Sequence, residues 1–239
     1  MTTKNIAFEN NLPQVSVSNG SIECLKWLAL VLMTGDHVNT YLFNHTIPLL
    51  NELGRIAMPL FVFILAFNLA RHNSNLDVVK RVSTRLLIFG SIAFAPKFAL
   101  GKLIGGWWPL NIMFTLLALI VSISLIESKY KWAAEFFILL SGFFVEFMWP
   151  ALLFGLSVYF YYKKPSYLML CASVLSCLGI CLLNSNMWAL LVYPLIVISS
   201  VVDLHWPRTK WFFYLYYPLH LVAIYVIQGY MRFSGYIII

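Results

Sequence analysis

Charge is what this chain has least of. Of its 239 residues only 10% are charged, and Asp and Glu together number 9. A soluble domain carries roughly 25% charged residues, so a water-exposed surface over most of the chain is excluded. Polar stretches rarely exceed about fifteen residues, which leaves no room for a large soluble domain. The sequence also lacks a GxGxxG or Walker motif, an internal repeat, coiled-coil heptads, and any CxxC or Cys/His metal spacing. Bound dinucleotide, P-loop and structural-zinc chemistry therefore have no support. The four cysteines are Cys24, Cys171, Cys177 and Cys181. The last three share one apolar segment and read as small core residues, with no metal expected. Met1 to Gly20 lack the basic n-region and adjoining apolar h-region of a signal peptide. Residues 1–22 read as a polar cytoplasmic segment that is retained.

What the chain does have is apolar sequence: 61% hydrophobic residues and a mean hydropathy of +0.82. This predicts an all-α, polytopic transmembrane helical bundle, with the lipid bilayer replacing most of a conventional core. Residues 23–239 form its single transmembrane domain. Nine spans are expected, at approximately 24–43, 53–70, 82–101, 111–126, 133–148, 150–162, 166–184, 187–202 and 212–231. The fifth and sixth meet at Trp149-Pro150 in a tight hairpin. Pro96 to Trp108 carries Lys97, Gly101, Lys102, Gly105 and Gly106 and is followed by Pro109. It breaks the helical pattern and predicts an interfacial or re-entrant segment. Aromatics gather at expected interfaces: Trp107-Trp108, Trp149, Tyr159 to Tyr162, and Trp211 to Tyr217.

The formal charge of +7 does not point to nucleic acid, because the basic residues sit in short loops between apolar spans. On the nine-span reading, one side holds Lys4, Lys26, Arg71, Lys80, Arg81, Arg85, Lys129, Lys131, Lys163, Lys164, Arg208 and Lys210. The other holds Arg55, Lys97, Lys102 and Arg232. The larger set marks the cytoplasm, so the N-terminus is expected inside and the C-terminus outside.

The most informative stretch runs from Lys26 to Asn39, an apolar helix carrying Asp36 and His37. At about 1.5 Å per residue, His37 lies roughly 16 Å from Lys26. A hydrocarbon core is roughly 30 Å thick, so His37 is expected near mid-membrane, where ionisable groups usually mark a pathway or a reaction site. Asp36 and His37 point about 100° apart on a helix, so Asp36 is not placed to orient His37. Its expected partner is Arg55, which opens the second span from the outer side and has a side chain long enough to reach inward. A structural Asp–Arg pair beside a hydrogen-bonded His accounts for the same residues. His37 can gain or lose a proton near neutral pH, as a general base must.

Pro59 should kink or open the second span. Asn68, Arg71 and His72 lie at its cytoplasmic end, and Arg71, Lys80, Arg81 and Arg85 form a basic rim. The rim reads either as the orientation signal or as a funnel for an anionic cytoplasmic cofactor, with Arg forks on phosphates. Asn111 is either a helix cap or a functional amide. His220, alone on an apolar helix, reads as a packing residue. Glu135 and Glu146 read as interfacial, and Ser141 has no base nearby.

The run from Leu25 to Asn39, followed by Gly54 to His72 with its Gly-Arg-Ile-Ala-Met-Pro opening, resembles the TraX family. Members include the pilin N-acetylase of conjugative plasmids. The resemblance is best over residues 25–72. It continues through Arg85-Leu86, Asn111-Ile112 and Tyr217-Pro-Leu-His220. That family is in turn similar to membrane acyltransferases of the acyltransferase-3 type, which carry a basic residue and a His separated by ten residues. Lys26 and His37 keep that spacing, with Lys in place of the usual Arg. The resemblance implies an acetyltransferase in the bacterial inner membrane, with acetyl-CoA as co-substrate from the cytoplasm. It implies a pilin α-amine, or that of another small membrane peptide, as acceptor. In that role His37 is the base, Asp36 and Arg55 organise the site, and Arg55 or Asn111 stabilises the oxyanion. Lys26, Asn68, Arg71, Arg81 and Arg85 would then receive CoA. O-acetylation of a sugar or lipid, and a non-enzymatic transporter or pilus assembly factor, are the alternatives.

Overall fold

The computed structural model describes residues 12, 14–71, 76–101, 103–128 and 130–235. The expected Lys4, His72, Lys102 and Lys129, and most of the N-terminal segment, lie outside them. The helices are α1 (Asn19–Leu42), α2 (Pro48–Gly54), α3 (Ala57–Arg71), α4 (Leu76–Leu100) and α5 (Ile112–Glu127). They continue as α6 (Lys131–Phe144), α7 (Met148–Lys163), α8 (Tyr167–Asn184), α9 (Val192–Val201, entered through a 3-10 turn at Trp188–Leu191) and α10 (Phe212–Phe233). Each expected span contains a helix. The segments Pro48–Arg71, Tyr167–Asn184 and Phe212–Phe233 are long and apolar enough to cross a membrane. Large apolar side chains stand exposed along α6, α8 and α10, among them Trp132, Phe136, Leu175, Leu182, Val226 and Tyr230. A surface of that kind suits lipid contact rather than water.

Local chemistry sets the boundaries. α1 starts earlier than expected because Ser18 caps it, its hydroxyl accepting from the Ser21 N–H at 3.2 Å. α4 likewise begins at Leu76, so Arg81 and Arg85 stand on the helix itself, four residues apart on one face. The second span is interrupted at Arg55-Ile56. Pro59 cannot donate to the carbonyl four residues back, which is that of Arg55. The chain instead tightens, with Arg55 N–H on Glu52 O and Ile56 N–H on Leu53 O, both at 3.1 Å. The hairpin expected at Trp149-Pro150 turns slightly earlier. α6 stops at Phe144, and Phe147 and Met148 take left-handed conformations (φ 60° and 49°). Trp149 and Pro150 then form the first turn of α7. The break expected from Pro96 falls later: Pro96 and Lys97 lie inside α4, since Pro96 forfeits only one helix bond, and the chain leaves the helix at Gly101, with Gly101, Gly105 and Gly106 at positive φ.

α3 is the central helix, burying eleven of its fifteen residues against α1, α5 and α7. Gly155 permits this closeness, because a Cβ there would meet Leu119 of α5 and stand 2.9 Å from Val62 of α3. α1 and α10 run parallel. Thr34 pairs with Tyr216, His37 with His220, and Tyr41 with Gln228, at successive levels along both helices. The start of α1 and the end of α10 therefore lie on opposite faces.

Candidate active site

One cavity of about 580 Å³ opens among α1, α3, α4, α5, the start of α10 and the connection that precedes it. Ligand pockets typically occupy about 300–1,000 Å³. Helical spacing explains its walls. On α1, Lys26, Leu30 and Met33 line it, and His37 continues the same stripe. Eleven residues at about 100° each return to within about 20° of the starting direction. On α4, the Arg81 and Arg85 face is presented together with Val78, Val82 and Leu86.

The cavity is polarised. Lys26, Arg81, Arg85, Arg208 and Lys210 line it with Asn68, and among the described residues no acidic side chain does. The deeper wall is Met33, Ile112, Tyr216 and Tyr217. His37 does not itself line the cavity; it lies behind this wall, its ring 6.4 Å from that of Tyr217. Lys26 is steadied by Glu23 at 2.6 Å, and its ammonium lies 5.7 Å from the Phe213 ring. The connection carrying Arg208 and Lys210 is fixed at both ends. The Ser21 hydroxyl donates to Val202 O at 2.7 Å. Arg85 lies 3.9 Å over the Trp211 ring. The carbonyl of Leu204 occupies the place that a Cβ on Gly20 would take.

At the deep end, His37 Nδ1 is 2.7 Å from His220 Nε2. The ring planes differ by 4°, with centroids 5.0 Å apart. Nitrogens that close and centroids that far apart put the rings end to end in nearly one plane, not face to face. His220 Nδ1 is 3.1 Å from the carbonyl of Tyr216. Asp36 faces away and accepts from Arg55 at 3.2 Å, as its position on the helix predicts. Arg55 also donates to Asn51. Gly54 allows that approach, since a Cβ there would meet the Asp36 side chain. A second ion pair joins buried Lys97 to Glu146.

Lys26, Asn68, Arg81 and Arg85 thus meet in one cavity, as the funnel reading requires. Arg71 does not line it. Its guanidinium donates to Asn19 Oδ1 at 2.9 Å, and the residue borders a separate groove with the N-terminal segment. The cavity-facing stripe of α3 centres on Phe61, Leu65 and Asn68, and Arg71 is turned from it by about 90°. Asn111 is fully buried and its amide is bonded on both sides. Oδ1 accepts from Met113 N–H at 3.1 Å and Nδ2 donates to Gly90 O at 2.9 Å, so it caps α5, and it does not line the cavity. His220, read as packing, touches His37 directly. Glu146, read as interfacial, holds Lys97. Arg208 and Lys210 were legible only as orientation charges. Among the described residues no group of three or more His, Cys, Asp or Glu side chains is placed to hold a metal ion.

Residues 21–228 match the family model described as TraX protein. No curated protein and no solved structure matches the chain.

Proposed function

The chain belongs to the TraX family, and from that premise we propose that it is a multi-pass inner-membrane acetyltransferase acting on the N-terminal amine of a pilin, with acetyl-CoA as donor. The observation that carries this reading is the polarised cavity. Five cations line it, and its apolar, aromatic wall ends at Tyr217, whose ring lies 6.4 Å from that of His37. A CoA thioester has the same polarity, with phosphates at one end and the acyl group at the tip of a long, largely uncharged arm.

In this reading Arg81, Arg85, Arg208 and Lys210 hold the phosphates, with Lys26 and Asn68 beside them. The cations at the mouth face the cytoplasm, where acetyl-CoA is made, so the N-terminus is inside and the C-terminus outside. His37 accepts the proton of the amine as its nitrogen bonds the acetyl carbon and the carbon–sulfur bond breaks. The thiolate of CoA leaves along the cavity. The N-terminal end of α5, at Ile112 and Met113, borders the deep wall, and its partial positive charge favours the developing oxyanion. Asp36 and Arg55 hold the α2–α3 junction against α1, and Arg55 supplies further positive potential.

The test is turnover of labelled acetyl-CoA by purified protein in nanodiscs, with and without the neighbouring pilin, read by intact mass. Label on the pilin N-terminus is expected. Label on a saccharide or lipid would transfer the activity to O-acetylation. An absence of turnover in both arms would leave a transporter or assembly factor.

A further inference from the structure

Which nitrogen of His37 is free to act follows from atoms that cannot change roles. The carbonyl of Tyr216 can only accept, so His220 Nδ1, at 3.1 Å, carries a hydrogen. Asp36 is bonded to Arg55, and among the described residues no carboxylate is hydrogen-bonded to either ring; an imidazolium buried without one is costly, so both imidazoles are neutral. A neutral imidazole has one N–H, so His220 Nε2 is a lone pair. His37 Nδ1, 2.7 Å away, must then supply the hydrogen between them. The near-coplanar rings aim that N–H along the lone pair. What remains on His37 is an unprotonated Nε2.

A second contact holds His220 in place. The Thr34 hydroxyl donates to Leu30 O at 2.8 Å, so the bond at 2.9 Å to Tyr216 must come from the tyrosine O–H. That bond ties the preceding turn of α10 to α1 one turn before His37. The Tyr216 ring lies parallel to that of His220, within 8° and with centroids 5.3 Å apart. Backbone carbonyl, His220 and His37 thus form a directed chain of hydrogen bonds ending at one lone pair.

We propose that His220 is the positioning residue of His37: it accepts the Nδ1–H of His37, fixes that tautomer, and so presents Nε2 as the proton acceptor. This rests on the reading of His37 as the base. As the acceptor amine is acetylated, its proton passes to His37 Nε2. The resulting imidazolium keeps its Nδ1–H on His220, so no existing bond breaks. His220 neither touches the substrate nor carries the proton away, because its only other nitrogen is committed to a carbonyl. Its role corresponds to that of a carboxylate orienting a catalytic histidine, with a neutral ring in place of the carboxylate.

The experiment is nitrogen-15 NMR of histidine-labelled protein in nanodiscs, with His37 assigned by loss of its signals in His37→Gln. Wild type should show His37 protonated at Nδ1 and bare at Nε2. His220→Ala should give a mixture of the two tautomers. It should lower kcat about tenfold, the scale of one neutral hydrogen bond, and leave the acetyl-CoA KM unchanged. His220→Gln, whose amide oxygen can accept from Nδ1–H, should restore most of both. A wild-type His37 protonated at Nε2 overturns the proposal, as does a tautomer that ignores residue 220 in both variants. The predicted tautomer in a protein without transferase activity would instead refute the functional reading and leave the positioning intact.

Discussion

Arg85 is where the cofactor reading is most exposed to refutation. Its guanidinium lies 3.9 Å over Trp211 and 5.7 Å from the Tyr214 ring, which holds it at the cavity among like charges. Replacing it by Ala removes one charge-assisted contact to a phosphate, worth roughly 1.5–3 kcal/mol. At about 1.4 kcal/mol per tenfold, the acetyl-CoA KM should rise about tenfold to a hundredfold. The contact concerns bound substrate and transition state alike, so kcat should change little. Part of the attraction is screened, and the gap between wild type and variant should narrow as salt is raised. Arg85→Lys should recover part of the loss, because it keeps the charge and gives up the fork and the planar stack on Trp211. The control is Arg71→Ala, on the same expected rim but bonded to Asn19 outside the cavity. Initial rates over an acetyl-CoA series in nanodiscs, at two ionic strengths, decide the matter. Equal KM effects at Arg71 and Arg85 would mean that the rim acts only through its general positive field and that the cavity is not the CoA site.

His37→Ala should lower kcat by about 10²–10⁴, the usual contribution of a general base, while thermal unfolding in detergent stays near wild type; retention of half the turnover would remove His37 from the mechanism. Asn111→Ala should do the opposite, costing about 1 kcal/mol of stability for the lost cap plus a further penalty for the stranded Gly90 carbonyl, with the KM unchanged; a kcat loss in fully folded protein would return Asn111 to the chemistry. Arg55→Ala should destabilise by leaving Asp36 without its partner, and the double variant Asp36→Asn, Arg55→Ala should recover part of that in the same unfolding assay. For orientation, C-terminal fusions should show active alkaline phosphatase and dark green fluorescent protein; the reverse result would contradict a cytoplasmic N-terminus with the ends on opposite faces.

What was legible in the sequence follows the range of the forces involved. Apolar runs mark helices locally, so every expected span contains one, and the errors fall at ends that Ser18 or the turn before Met148 decides. The Asp36–Arg55 pair was legible because helix geometry excluded His37 as the partner and little else lay near. The role of Asn111 was not, because the same amide serves as a cap or as a donor and only the position of Gly90 O decides. Arg71 and Arg85 look alike in a count of basic residues. A helical projection of α3 would have separated them, since Arg71 leaves the stripe that Asn68 holds. His220 stands 183 positions from His37, and nothing local marks such a contact. The sequence signal for it was its place in Tyr217-Pro-Leu-His220, the last stretch of the family resemblance, where an ionisable residue recurs inside an apolar helix.

The hydrogen bonds around the deep end also favour His37 over its neighbours as the group that takes a proton. Asp36 is spent on Arg55, and Glu146 on Lys97. Protonating either carboxylate would leave a half-buried or buried cation without its partner, a costly change in a low-dielectric setting. Protonating His220 at Nε2 would break its bond to His37. His37 alone among these four can gain a proton, at Nε2, while every hydrogen bond around it persists. In the proposed mechanism the two ion pairs therefore take no part in the proton traffic. The same arrangement explains why adjacent residues on one helix do different work. The 100° step from Asp36 to His37 turns the carboxylate toward the α2–α3 junction and the imidazole toward α10, separating the ion pair from the proposed base.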